Sequence, residues 1–183
     1  MNRSTKKICV MAICVALVSV LSPLSINIGI IPISLSLLII YIVSSLLSPC
    51  QSLIVVALYI LMGAIGIPVF SGYKAGFAVL LGNTGGYIIG YIPAAFIVSF
   101  VTNKFKNKSI AYVISMIFAT TICYTVGTLW FKLIGDTSFS YALKVCVIPF
   151  IFPDLLKIGF ASVCGYKLNQ TELFIDLNKQ KAD

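Results

Sequence analysis

The sequence predicts an all-α fold, an integral membrane bundle of six helices, on three observations. Hydrophobic residues make up 60% of the 183 positions and charged residues only 10%, against about 25% charged in soluble domains. No Asp, Glu, Lys or Arg occurs from Ile8 to Tyr73. A spanning helix needs about 20 apolar residues, so that interval has room for about three. The charges that do occur gather at the ends of apolar runs. One membrane domain over 1–183 follows, with no separate soluble domain.

The elements come in order. Helix 1 is expected at about 7–23. Arg3, Lys6 and Lys7 precede it and Pro23 closes it, so the segment looks like a signal peptide. No small-x-small cleavage site follows, and it reads as an uncleaved first helix. Helix 2 is expected at 31–47 and helix 3 at 51–68. Ser22-Pro23, Ser48-Pro49 and Ile67-Pro68 mark the breaks, because proline disfavours helix in the residue before it. Helix 4 is expected at 78–101, helix 5 at 109–133 and helix 6 at 153–169. Between the last two, YALKVCVIPF predicts a short surface helix before Pro149. The polar stretch 170–183 reads as a frayed tail.

Charge fixes orientation. Arg3, Lys6 and Lys7 lie before helix 1. Lys104, Lys106 and Lys108 lie between helices 4 and 5. Lys167, Lys179 and Lys181 follow helix 6. Six spans put all three clusters on one side, and the positive-inside rule makes that side cytoplasmic, with both termini. Loops 24–30, 69–77 and 134–152 then share the outer face. The net charge of +8 is thereby accounted for by topology and a lipid bilayer, without nucleic acid.

Several chemistries are excluded or disfavoured. The chain has no histidine, which removes the commonest general base and metal ligand. It has no Ser–His, Cys–His or paired-carboxylate arrangement, no metal-ligand cluster and no G-x-x-x-x-G-K loop. Neither an enzyme nor a self-sufficient ATPase is indicated, and no cofactor or metal site is expected. Cys9, Cys14, Cys50, Cys123, Cys146 and Cys164 form no C-x-x-C pair and read as small packing residues.

The binding candidates cluster toward the outer face. Asp154 and Lys157 stand three apart in FPDLLKIGF, so a helix puts them on one face. Pro153 suits a first helical turn, which would set Asp154 near the positive end of the helix dipole. An intrahelical cap is the plain reading; ionisable residues inside spans more often mark substrate paths. Asn83, in LLGNTGGY, offers donors and an acceptor together, or serves as a turn residue. Gly82, Gly86 and Gly90 are spaced four apart and read mainly as a helix-packing ridge. Lys74 is the single charge in the Gly-rich loop 69–77, either solvated or facing a ligand anion. Ala12 and Ala16 make an A-x-x-x-A face on helix 1 suited to a partner helix.

Five blocks together carry a resemblance: PISLSLLIIYIVSSLLSP at 32–49, GAIGIPVFSGYKAG at 63–76, LLGNTGGYIIGY at 80–91, YTVGTLW at 124–130 and PFIFPDLLK at 149–157. In order and spacing they resemble the BioY family, the membrane-embedded substrate-binding (S) components of biotin energy-coupling-factor (ECF) transporters. The resemblance implies the six-helix S-component fold and biotin as ligand, captured at the outer face. It implies a transmembrane coupling protein and two cytoplasmic ATPase subunits as partners, and an S component that topples to deliver its ligand. Asp154 and Lys157 match the family's ligand-contacting D-L-L-K block, and Ala12 and Ala16 match its docking motif; in a pocket formed by the outward ends of helices 4 and 6, Asp154 and Asn83 are expected to hold the ureido ring and Tyr87 to line the wall. Biotin's ureido ring complements a carboxylate and an amide, and its valerate a cation. The chain departs from the family pattern at Asn83, at Phe152 and Pro153, at Ser36, and in the bulkier loop SGYKAG. An S component for another small vitamin or biotin precursor is the nearest alternative; a membrane scaffold is the alternative from another class.

Overall fold

Prolines and glycines place the breaks in a chain whose apolar composition otherwise sustains helix. The computed structural model describes residues 3–26 and 31–171. Among them α1 spans Arg3–Leu21, α2 Ser36–Leu46, α3 Pro49–Ala64, α4 Phe77–Leu81, α5 Gly85–Lys104, α6 Ser109–Gly135, α7 Phe139–Cys146 and α8 Ile148–Asn169. A short antiparallel hairpin pairs β1 (Ser25–Ile26) with β2 (Ile33–Ser34), Ser25 opposite Ser34. Of the expected outer loop at 24–30 and tail at 170–183, positions 27–30 and 172–183 lie outside the described residues.

The helices follow the sequence with departures at several boundaries; α1 begins at Arg3 rather than 7, and α3 ends at Ala64 rather than 68. α2 begins at Ser36 rather than 31, because residues 33 and 34 are taken by the hairpin. α3 begins at Pro49 rather than 51, with proline at the helix start and Gln51 Oε1 accepting from the Ser48 N–H at 3.1 Å. The expected fourth helix is two helices, broken at Gly82-Asn83-Thr84. The break has a partner that the sequence does not show: the Trp130 indole N–H donates to the Gly82 carbonyl at 3.0 Å. The expected sixth helix starts five residues early, at Ile148, with Pro149 in its first turn and Pro153 inside it. Asp154 is therefore one turn further from the positive helix end than its neighbour proline suggests.

Among the described residues three stretches are long and apolar enough to cross a membrane: Gly85–Lys104, Ser109–Gly135 and the α7–α8 run Phe139–Asn169; α2 and α3 are shorter apolar helices. Large apolar side chains remain exposed along α1, α6 and α8, among them Ile8, Val20, Ile114, Phe118, Leu156 and Phe160. Such a surface is suited to hydrocarbon rather than water.

Glycines and small polar residues set the helix spacing. A Cβ on Gly86 would stand 2.3 Å from Trp130 Cβ, and one on Gly90 3.3 Å from Cys123 Cα, so α5 lies directly against α6. Gly82 is outside that ridge, in the break. Gly165 brings α8 against α2, where a Cβ would meet Ser45 Oγ at 2.3 Å. Hydroxyls and an amide then bond across the helices. Tyr41 and Thr120 join α2 to α6 at 2.7 Å, Ser99 donates to the Leu47 carbonyl at 2.6 Å, and Asn169 donates to the Ser45 carbonyl at 3.0 Å. Apolar packing and interhelical hydrogen bonds are the forces left to helices that no water separates.

Candidate ligand-binding site

Helical periodicity builds the floor of the site. On α8 the buried positions Phe150, Asp154, Ile158, Ala161, Gly165 and Asn169 form one stripe, the pattern of a helix with one face inward. Asp154 occupies a core position of that stripe, its side chain 6% exposed. A buried carboxylate is costly unless paired, and this one is paired twice. Lys157 Nζ donates to Oδ1 at 2.7 Å, and the Tyr124 hydroxyl of α6 donates to Oδ2 at 2.7 Å. The three-residue spacing predicts the first bond; the second joins two helices.

Above this triad is a cavity with an empty volume of about 740 Å³, part of it open to solvent. Its aromatic wall includes Tyr59, Phe70, Tyr87, Tyr91 and Phe150, and its polar lining includes Ser34, Ser36, Ser71 and Thr84. Asp154, Lys157 and Lys74 supply its charges. Tyr87 is held in place rather than free: its hydroxyl donates to the Cys146 carbonyl and its ring lies over Gly127. A Cβ at Gly127 would come within 2.7 Å of that ring.

The loop after α3 closes one side. Phe70 anchors it, buried edge-on against Tyr59 with ring centroids 5.8 Å apart. A Cβ at Gly63 would stand 2.1 Å from the Phe70 ring, so glycine is required there for the anchor to seat. Backbone bonds fix the remainder: Phe70 N–H to the Lys74 carbonyl at 3.1 Å, Gly72 N–H to Pro23 at 2.9 Å, Gly76 N–H to Gly63 at 2.7 Å. Gly72 and Gly76 adopt φ of 72° and 94°, a region open to glycine at no steric cost.

The family model described as BioY family matches residues 1–172. The chain belongs to the BioY family. It is 34% identical to the biotin transporter BioY2 of Lactococcus lactis over 167 residues, covering 91% of this chain and 92% of that protein. It is 31% identical to the biotin transporter BioY of Thermotoga maritima over 158 residues, 86% of this chain and 92% of the relative. Its fold superposes on the crystal structure of the S-component for biotin from an ECF-type ABC transporter with a TM-score of 0.86, at 26% identity, over 93% of this chain and 95% of the other. The chain is accordingly a multi-pass membrane protein of a transport family rather than an enzyme.

Against this BioY frame the expected residues separate. Asp154, Lys157 and Tyr87 meet at the cavity, and Lys74 joins them from the loop. Asn83 is exposed on the turn between α4 and α5 and is not part of the lining; its neighbour Thr84 is. Ala12 and Ala16 are both exposed on α1, on the face away from the buried Cys14 and Val18. Sequence reasoning missed Tyr124, Tyr59 and Tyr91. A signal was present, since a tyrosine inside an apolar helix needs a partner for its hydroxyl, but the partner of Tyr124 is on α8 and that of Tyr59 is the Val69 carbonyl in the loop after α3. Among the described residues no group of His, Cys, Asp or Glu could hold a metal.

Proposed function

We infer that this chain is the biotin-binding S component of an ECF-type importer in the cell membrane. The observation that carries the reading is the buried Asp154–Lys157–Tyr124 triad at the base of an aromatic cavity, in a chain similar to biotin transporters over nearly its whole length. Biotin's ureido ring presents two N–H donors and one carbonyl. The Asp154 carboxylate accepts from the former, with lone pairs to spare after its two existing bonds. Lys157 and Tyr124 orient that carboxylate, and Lys157, with N–H groups beyond the one given to Asp154, offers a donor to the ureido oxygen. Tyr87 and the other rings pack on the bicyclic body, and Asn83 stands on the turn at the cavity's edge. No cofactor takes part.

The same reading gives six spans, α1, α2, α3, α5, α6 and α8, with both termini cytoplasmic and the cavity opening outward. The basic residues Lys104, Lys106 and Lys108 between α5 and α6 support that orientation. The exposed Ala12 and Ala16 form the surface for a transmembrane coupling protein, which works with two ATPase subunits. The test is Asp154→Ala in the purified protein. Biotin affinity should fall roughly 100-fold or more, the scale of breaking a buried charge pair, while the protein stays monodisperse. Undiminished affinity would remove Asp154 from the site.

A further inference from the structure

The charges around the cavity do not cancel. Asp154 and Lys157 neutralise one another at 2.7 Å. Lys74, the other charged residue of the lining, makes no ion pair among the described residues. The site therefore holds one uncompensated positive charge, at its exposed loop side, and a neutral, hydrogen-bonding triad at its buried side. A cation at the exposed mouth of a cavity whose buried end is a neutral hydrogen-bonding triad favours one ligand type: a monoanion with an uncharged polar head. The hydroxyl oxygen of Ser71, in the same loop and also lining the cavity, is buried without a hydrogen-bond partner. An unpartnered buried polar atom is costly, and a ligand oxygen would satisfy it.

The loop holds Lys74 in place. Its carbonyl accepts from the Phe70 N–H at 3.1 Å, and the Phe70 ring is locked beneath Gly63 and against Tyr59. The preceding Tyr73 takes a left-handed φ of 58°, which tightens the turn on which Lys74 is presented. A cation on an anchored turn is preorganised, and preorganisation lowers the cost of capture.

We propose that Lys74, with Ser71, is the carboxylate-recognising element of the site and sets its preference for a free acid over the corresponding neutral amide. This rests on the biotin reading above. The valerate carboxylate lies toward the 69–76 loop, and the ureido ring lies toward Asp154.

The experiment is calorimetric titration of the full-length, detergent-purified protein with biotin and with biotin amide. Wild type, Lys74→Met and Lys74→Arg are compared, their folding checked by thermal melting. Wild type should bind biotin roughly 10- to 100-fold tighter than the amide, the range of a charge-assisted hydrogen bond. Lys74→Met should lose that preference through weaker biotin binding, with amide affinity the same in both proteins. Lys74→Arg should retain it. A Lys74→Met protein that still prefers the acid as strongly as wild type would overturn the assignment while leaving biotin as the ligand. A folded wild type that binds neither compound would overturn both.

Discussion

Tyr124 and Asp154 are thirty residues apart in sequence and 2.7 Å apart in space, the hydroxyl of one donating to Oδ2 of the other. This bond ties α6 to α8 at the base of the cavity and fixes the carboxylate that Lys157 holds from the other oxygen. Tyr124→Phe keeps the ring and removes only the donor. Biotin affinity should fall roughly 5- to 100-fold, corresponding to about 1–3 kcal/mol for a buried acceptor left unpaired. Calorimetry on the variant checks this, with thermal melting to show that the helices remain packed.

Glycine at the α5–α6 contact is a matter of space. A Cβ on Gly86 would lie 2.3 Å from Trp130 Cβ and 3.0 Å from the Val126 carbonyl oxygen. Gly86→Ala should cost about 1–3 kcal/mol, as overpacking does. Gly159 on α8 has nothing within 4 Å of such a Cβ. Gly159→Ala should be neutral or stabilising by up to about 1 kcal/mol, because alanine loses less backbone entropy in a helix. Parallel denaturation curves of the two variants separate packing from propensity.

Ala12 and Ala16 expose a small-residue strip on a helix whose other face carries the buried Cys14 and Val18. Ala12→Leu and Ala16→Leu should leave biotin binding to the isolated protein unchanged. Cellular biotin uptake should drop roughly tenfold or more, since close helix approach depends on small side chains. Co-purification with the coupling protein and labelled-biotin uptake, measured together, test the separation of capture from docking.

How much of this was legible in the sequence depends on the range of each interaction. The Asp154–Lys157 pair could be read because a three-residue spacing on a helix is local. Gly86 and Gly90 could be read as a ridge for the same reason. Tyr124 could not be paired with Asp154, nor Trp130 with Gly82, because each bond joins helices whose relative placement the pattern does not encode. The start of α8 was misplaced because both Pro149 and Pro153 suit a first turn, and local chemistry cannot choose between them. The β1–β2 hairpin has two residues per strand, too few for an alternating pattern to register. Asn83 has the hydrogen-bonding capacity of a ligand contact, yet its direction is set by the turn at 82–84, which places it exposed and Thr84 in the lining.

The most direct measurement is a biotin titration of the purified full-length protein, read by calorimetry and by the fluorescence of Trp130. That tryptophan bonds to Gly82, two residues from the cavity-lining Thr84, so ligand entry should perturb it. Saturable one-to-one binding is expected, with both signals tracking the same curve. A folded protein that gives neither heat nor a fluorescence change with biotin would contradict it.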